Sequence, residues 1–159
     1  MFKKLISKIS NWFKKRLPNY DFNEVHVYDD VMDSILDYAI NSDPNEFMAL
    51  FDGEIKNKIL IVTGLIFLPV ESSYEGAIMN TGMLPVTTIY WGSVHSHPGD
   101  SAEPSDTDLI SFAKRGIFHM IICKPYGVKN IKAYNKYGEH ISYKIVKTPM
   151  DELLNDWDY

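Results

Sequence analysis

Trp91-Gly92-Ser93-Val94-His95-Ser96-His97-Pro98 carries an apolar run into two histidines, and Pro104-Ser105-Asp106-Thr107-Asp108 follows after a short polar loop. On a strand, residues two apart project to the same face, about 6–7 Å apart at a rise of ~3.3 Å per residue. Two imidazoles held that way can close on one metal ion, and Asp108 on the next element adds a hard oxygen ligand. Three protein ligands with one open position is the count of a catalytic zinc site rather than a structural one. The plainer readings are that His-x-His pairs are common by chance and that Ser105-x-x-Asp108 is a capping box, with Ser105 as N-cap and Asp108 at N3. The stretch predicts a strand over about Thr88 to His95, a loop, and a helix from Ser105 to Arg115. Leu109, Ile110, Phe112 and Ala113 form that helix's apolar face, and Gly116 is its natural stop.

The 159 residues make one domain with enough chain for a sizeable core, and 45% hydrophobic and 13% aromatic content describe an ordinary globular protein. One cysteine, Cys123, excludes an internal disulfide and a cysteine-based zinc site, and it fits a reducing compartment. Cys123 ends the apolar run from Phe118, so it reads as a core residue. Residues 1–17 hold six of the 16 basic residues and no acid. The rest of the chain therefore carries ten basic against 21 acidic residues. Such an acidic body argues against a nucleic-acid partner, since phosphate binding needs clustered basic groups. No run approaches a transmembrane span and lysines interrupt any signal-peptide core, so a cytoplasmic location is expected.

Phe2, Leu5, Ile6, Ile9, Trp12, Phe13 and Leu17 recur at helical spacing, with most lysines on the other face. Residues 1–17 thus read as a basic amphipathic helix that packs on its own domain, contacts a partner, or lies at an anionic membrane surface. Residues 18–23 form a linker, 24–147 the catalytic domain, and 148–159 an acidic tail with a short helix over about 150–157.

Within the domain, Asp29-Asp30 cap a helix to about Asn41 that buries Val31, Ile35, Leu36, Ala39 and Ile40. Phe47 to Phe51 reads as a strand, Asp52-Gly53 as a turn, and Ile59 to Phe67 as a doubly buried return strand. Residues 71–86 carry a weaker pattern: Glu71 to Gly76 reads as loop, and Met79 to Pro85 either lines the site or fills the core. Strands at Phe118–Cys123, Ile131–Asn135 and His140–Val146 complete the sheet.

Taken together, His95-Ser96-His97-Pro98, six residues, then Ser105-x-x-Asp108 resembles the signature of the JAMM (MPN-plus) metalloproteases. That family also uses a glutamate at the start of an upstream strand, and Asp43-Pro44-Asn45-Glu46-Phe47-Met48 is similar to that segment, which places it at Glu46. The resemblance spans roughly residues 24 to 147. Rival patterns fail: a metallo-β-lactamase motif needs Asp where Gly99 stands, zinc deaminases need His-x-Glu with Cys-x-x-Cys, and an amidohydrolase barrel needs ~250 residues.

The resemblance implies a cytidine-deaminase-like α/β fold, with a curved mixed β-sheet flanked by helices, and one zinc per chain held by His95, His97 and Asp108. Zinc lowers the pKa of bound water to about 7. Glu46 then serves as general base and later as acid toward the leaving amine. Ser105 donates to the oxyanion of the tetrahedral intermediate. His26, His119 and His140 lack motif partners and read as structural or surface residues. The family cuts amide or isopeptide bonds next to the C-terminal glycine of ubiquitin or ubiquitin-like proteins. The short loop between Pro98 and Ser105 resembles the compact prokaryotic and archaeal members, which points to a small ubiquitin-like modifier or a sulfur-carrier β-grasp protein as substrate. Processing of a sulfur-carrier precursor and an inactive MPN scaffold are the alternatives, although scaffolds typically lose ligands that this chain keeps.

Overall fold

A computed structural model describes residues 21–73 and 76–150 of the chain. The helices expected over 1–17 and 150–157 lie wholly or almost wholly outside the described residues. Strands β1 (Glu24–Tyr28), β2 (Met48–Lys56), β3 (Ile59–Ile66), β6 (Gly92–His97), β7 (Phe118–Cys123), β8 (Ile131–Asn135) and β9 (Lys144–Val146) form one sheet. Their spatial order is β8-β7-β6-β2-β3-β1-β9. The sheet is mixed: β6 pairs with β7 in parallel and with β2 antiparallel. Helix α1 (Asp29–Ser42) covers one face. Helix α2 (Asp106–Lys114) and a small hairpin, β4 (Val70–Ser73) with β5 (Gly76–Met79), belong to the other. Among the described residues, no helix is long and apolar enough to cross a membrane.

Strand alternation sorts the side chains by face. Val94, Phe118, Met120, Ile122, Ala49 and Phe51 join Val31, Met32, Ile35 and Ala39 of α1 in the main core. On the opposite face, Phe112 of α2 meets Ile121, Cys123 and Tyr134, while Met48 and Leu50 meet Met79 from the hairpin. His95 and His97 lie on this second face. Close strand approach there depends on Gly92, where an added Cβ would stand 1.7 Å from the Phe118 carbonyl oxygen.

Several local expectations are corrected. The Asp52-Gly53 pair is not the hairpin turn. Strand β2 runs through it to Lys56, with a register shift at that point, and the chain reverses at Asn57-Lys58, both at positive φ. Gly53 is required because a Cβ there would stand 2.2 Å from the Ile61 carbonyl oxygen. The metal-bearing strand is Gly92–His97 rather than Thr88 to His95, because parallel pairing with β7 runs through the second histidine. Helix α1 starts at Asp29 with Tyr28 as N-cap, and Ile40 lies on its exposed side. Of the apolar face expected for α2, only Phe112 is buried; Leu109, Ile110 and Ala113 are exposed, because α2 turns only one stripe inward. Residues 71–73 and 76, expected as loop, belong to the hairpin; a 3₁₀ turn (Thr81–Met83) follows, and Met79 fills core while Met83 is exposed. Two strands went unrecognised as placed: β1, and β9, which crosses to the far edge to pair with β1. His140, the expected start of the last strand, makes only a single bridge to Tyr134.

Candidate metal centre

Strand alternation aims His95 and His97 at the same face, and the capping box delivers Asp108 to them. Ser105 Oγ accepts from the Asp108 amide at 3.2 Å, while Asp108 Oδ2 accepts from the Ser105 amide at 2.8 Å. The N3 carboxylate of the box is thus also the potential ligand: the box that starts α2 fixes it. Helical spacing puts Asp108, Phe112 and Arg115 on one inward stripe, so the carboxylate faces the histidines and Phe112 stacks on His119 with ring centroids 4.3 Å apart.

Three potential ligand atoms converge. His95 Nε2 and His97 Nε2 are 3.0 Å apart, and they lie 3.1 and 3.2 Å from the two Asp108 oxygens. Tetrahedral ligands at about 2.0–2.1 Å from zinc stand about 3.3 Å from one another, so the set fits a single zinc ion. His97 Nδ1–H donates to the Ser101 carbonyl at 3.0 Å, which leaves Nε2 to face the metal position. Burial alone would raise the Asp108 pKa, but hydrogen bonds with both histidines and the Ser105 amide hold it well below the usual carboxylate range. His97 moves up: burial opposes its charge, but the bonds to Asp108 and Ser101 outweigh it.

Glu46 lies just before β2, opposite His97 when the β2–β6 register is continued. It is half-buried, and that burial pushes its pKa up, against the pull of the two histidines and with the help of Asp108. Ser105 is exposed beside the centre. All five residues singled out from the sequence are therefore brought to one end of the sheet. Cys123 is buried, as expected, and donates weakly to the Asn130 carbonyl at 3.6 Å. His119 is fully buried against Ser93 Oγ at 2.9 Å, and burial pushes its pKa down to about 4. Sequence reasoning missed the Ser101 carbonyl, because a backbone acceptor leaves no residue-type signal.

A His-His-Asp set of this shape, carried on a mixed α/β sheet without cysteine ligands, fits a mononuclear zinc hydrolase of the metalloprotease kind. The model for prokaryotic homologs of the JAB domain matches residues 29–137, and the chain belongs to that family. It is 32% identical over 138 residues to a probable metalloprotease of Haloferax volcanii, covering 82% of this chain and 84% of that protein. Among solved structures, it matches a JAMM protein described as a metalloprotease-like zinc site in the proteasome and signalosome. That match has a TM-score of 0.61 and 30% identity, over 79% of this chain and all of the other. A JAB1/MPN domain protein from Archaeoglobus fulgidus aligns with a TM-score of 0.59 and 33% identity, over 77% of this chain and 99% of the other. The fold is that of JAMM/MPN proteins, and the chain is a JAMM-type zinc metalloprotease.

Proposed function

We propose that the protein hydrolyses the amide or isopeptide bond after the C-terminal glycine of a ubiquitin-like small modifier. The observation that carries this reading is the convergence of His95, His97 and Asp108, with their ligand atoms 3.0–3.2 Å apart, next to a half-buried Glu46. Zinc held by these three side chains supplies Lewis acidity that lowers the pKa of water to about 7. Glu46 takes the proton from the attacking water and returns it to the leaving amine, a role suited to a carboxyl whose pKa is raised by burial. Ser105 Oγ accepts from the Asp108 amide, which leaves its own hydrogen free to donate to the developing oxyanion. Exposed Met83, Val86 and Ile89, on the segment leading into β6, offer apolar contacts for a modifier's tail.

The test uses the full chain and β-grasp proteins, modifier and sulfur-carrier alike, each carrying a Gly-Gly-linked extension. About one zinc per chain and release of the extension are expected. Glu46→Gln should keep zinc and fold while turnover falls ~10²–10⁴-fold. Ser105→Ala should cost ~10²–10³ in kcat. Cleavage of no such fusion by zinc-loaded protein would overturn the substrate reading, and undiminished turnover in Glu46→Gln would overturn the assigned base. The basic charge of residues 1–17 suits an anionic membrane surface, and we propose salt-sensitive binding to anionic vesicles that is lost when those residues are removed.

A further inference from the structure

Ser96 sits between the two histidines in sequence but points to the opposite face of β6, where it is 1% exposed. Carrying the Met48–His95 register one step further puts Phe47 opposite Ser96 and Glu46 opposite His97. An antiparallel pair of the hydrogen-bonded kind exchanges two backbone N–H···O=C bonds. Here only one is backbone to backbone: the Ser96 amide donates to the Phe47 carbonyl at 3.0 Å. The return bond runs from the Phe47 amide to Ser96 Oγ at 2.8 Å. A side-chain hydroxyl stands where the ladder would place a peptide carbonyl, at the point where β2 begins.

This substitution bears on Glu46. Among the described residues, no hydrogen bond holds the Glu46 carboxylate, so its position over the histidines depends on how the adjacent backbone is anchored. On the preceding side the chain is tied by the Asn45 amide to the Ser42 carbonyl at 2.8 Å. On the following side the anchor is the Phe47–Ser96 pair. From this geometry we infer that Ser96 is the positioning residue for Glu46, holding it over His95 and His97 through the Phe47 amide. The inference rests on the reading of Glu46 as the proton carrier. It also separates the roles within His95-Ser96-His97: the outer two residues face the metal, and the middle one aims the base.

The test compares zinc-loaded full-length wild type with Ser96→Ala, Ser96→Cys and Ser96→Thr. In Ser96→Ala, amide hydrogen exchange at Phe47 should speed at least ~10-fold, while Ala49 on the same strand stays protected. Zinc should stay at about one per chain, and kcat should fall ~10²-fold with KM nearly unchanged, as expected for a small misplacement of a reacting group. Cysteine keeps the volume but accepts hydrogen bonds poorly, so it should behave like alanine, whereas threonine keeps the hydroxyl and should restore most of kcat. In a Glu46→Gln background, removing the Ser96 hydroxyl should add little further loss, because coupled residues are non-additive. Unchanged Phe47 protection in Ser96→Ala, or wild-type kcat in Ser96→Cys, would overturn the inference. Should alanine fail to fold, the cysteine and threonine variants decide the matter alone. If Glu46→Gln keeps full turnover, the assignment of Glu46 fails instead, and Phe47 exchange still reports whether Ser96 anchors that strand.

Discussion

The two faces of the sheet are built from the same strands but to different ends. On the α1 side, β6 contributes Val94, and α1 buries Val31, Met32, Ile35 and Ala39. On the α2 side, the same strand contributes Ser93, His95 and His97, and Phe112 is the only buried residue of α2. Apolar burial stabilises the first face, with the Ser96 hydroxyl as its polar exception, and polar groups held in place for chemistry occupy the second. Burying polar groups is costly unless each is partnered. The second face meets that requirement in part, through the Ser93–His119 bond, the Asp108 capping box and the Ser101 carbonyl, while His95 Nδ1 and His119 Nε2 are buried without a hydrogen-bond partner among the described residues. Apart from Ser96, stability and catalysis should therefore separate when each face is mutated.

The largest effect is expected on the metal face. His97→Ala removes one of three ligands, so metal analysis should find the zinc lost and turnover at background. A fully occupied site in that variant would contradict the ligand assignment. On the opposite face, Ile35→Ala should cost about 2–5 kcal/mol in urea unfolding while the folded fraction keeps its zinc. Loss of zinc at matched folded fraction would show that the faces are coupled.

His119 blurs the comparison, because it lies on the metal face but contributes to stability. The folded protein keeps it neutral down to about pH 4, whereas an unfolded chain protonates it near 6.5. Between those values the unfolded state binds the extra proton, so stability falls as pH drops, by about 3 kcal/mol across the window. Wild type should lose that much more than His119→Gln when unfolding is followed from pH 7 to 4. Equal losses would show that His119 is not the group responsible. The smallest effect is structural: Ser105→Ala deletes the N-cap of α2 and should cost about 1 kcal/mol of stability.

Short-range signals in the sequence were sufficient for the metal ligands. His95 and His97 share a face because strand side chains alternate, and Asp108 follows a capping box whose spacing is read directly from Ser105-x-x-Asp108. The same local rules misjudged Asp52-Gly53, since a Gly pair marks a turn or a bulge equally well, and only the strand opposite, at Ile61, selects the bulge. They also marked Leu109, Ile110 and Ala113 as an apolar face that the structure leaves exposed, because periodicity marks an apolar stripe without saying whether anything covers it.

What the sequence determined by itself is the His95, His97 and Asp108 group that fits one zinc and the strand, loop and helix that carry it, because those depend on contacts within a few residues along the chain. What only the tertiary structure decided is how distant segments meet: Glu46 against His97 across the β2–β6 register, Ser96 accepting the Phe47 amide, and β9 paired with β1 instead of following β8. The physical reason is that pairing between strands depends on backbone hydrogen bonds, which nearly every residue type can make, and on packing that selects among registers only once the whole sheet is assembled.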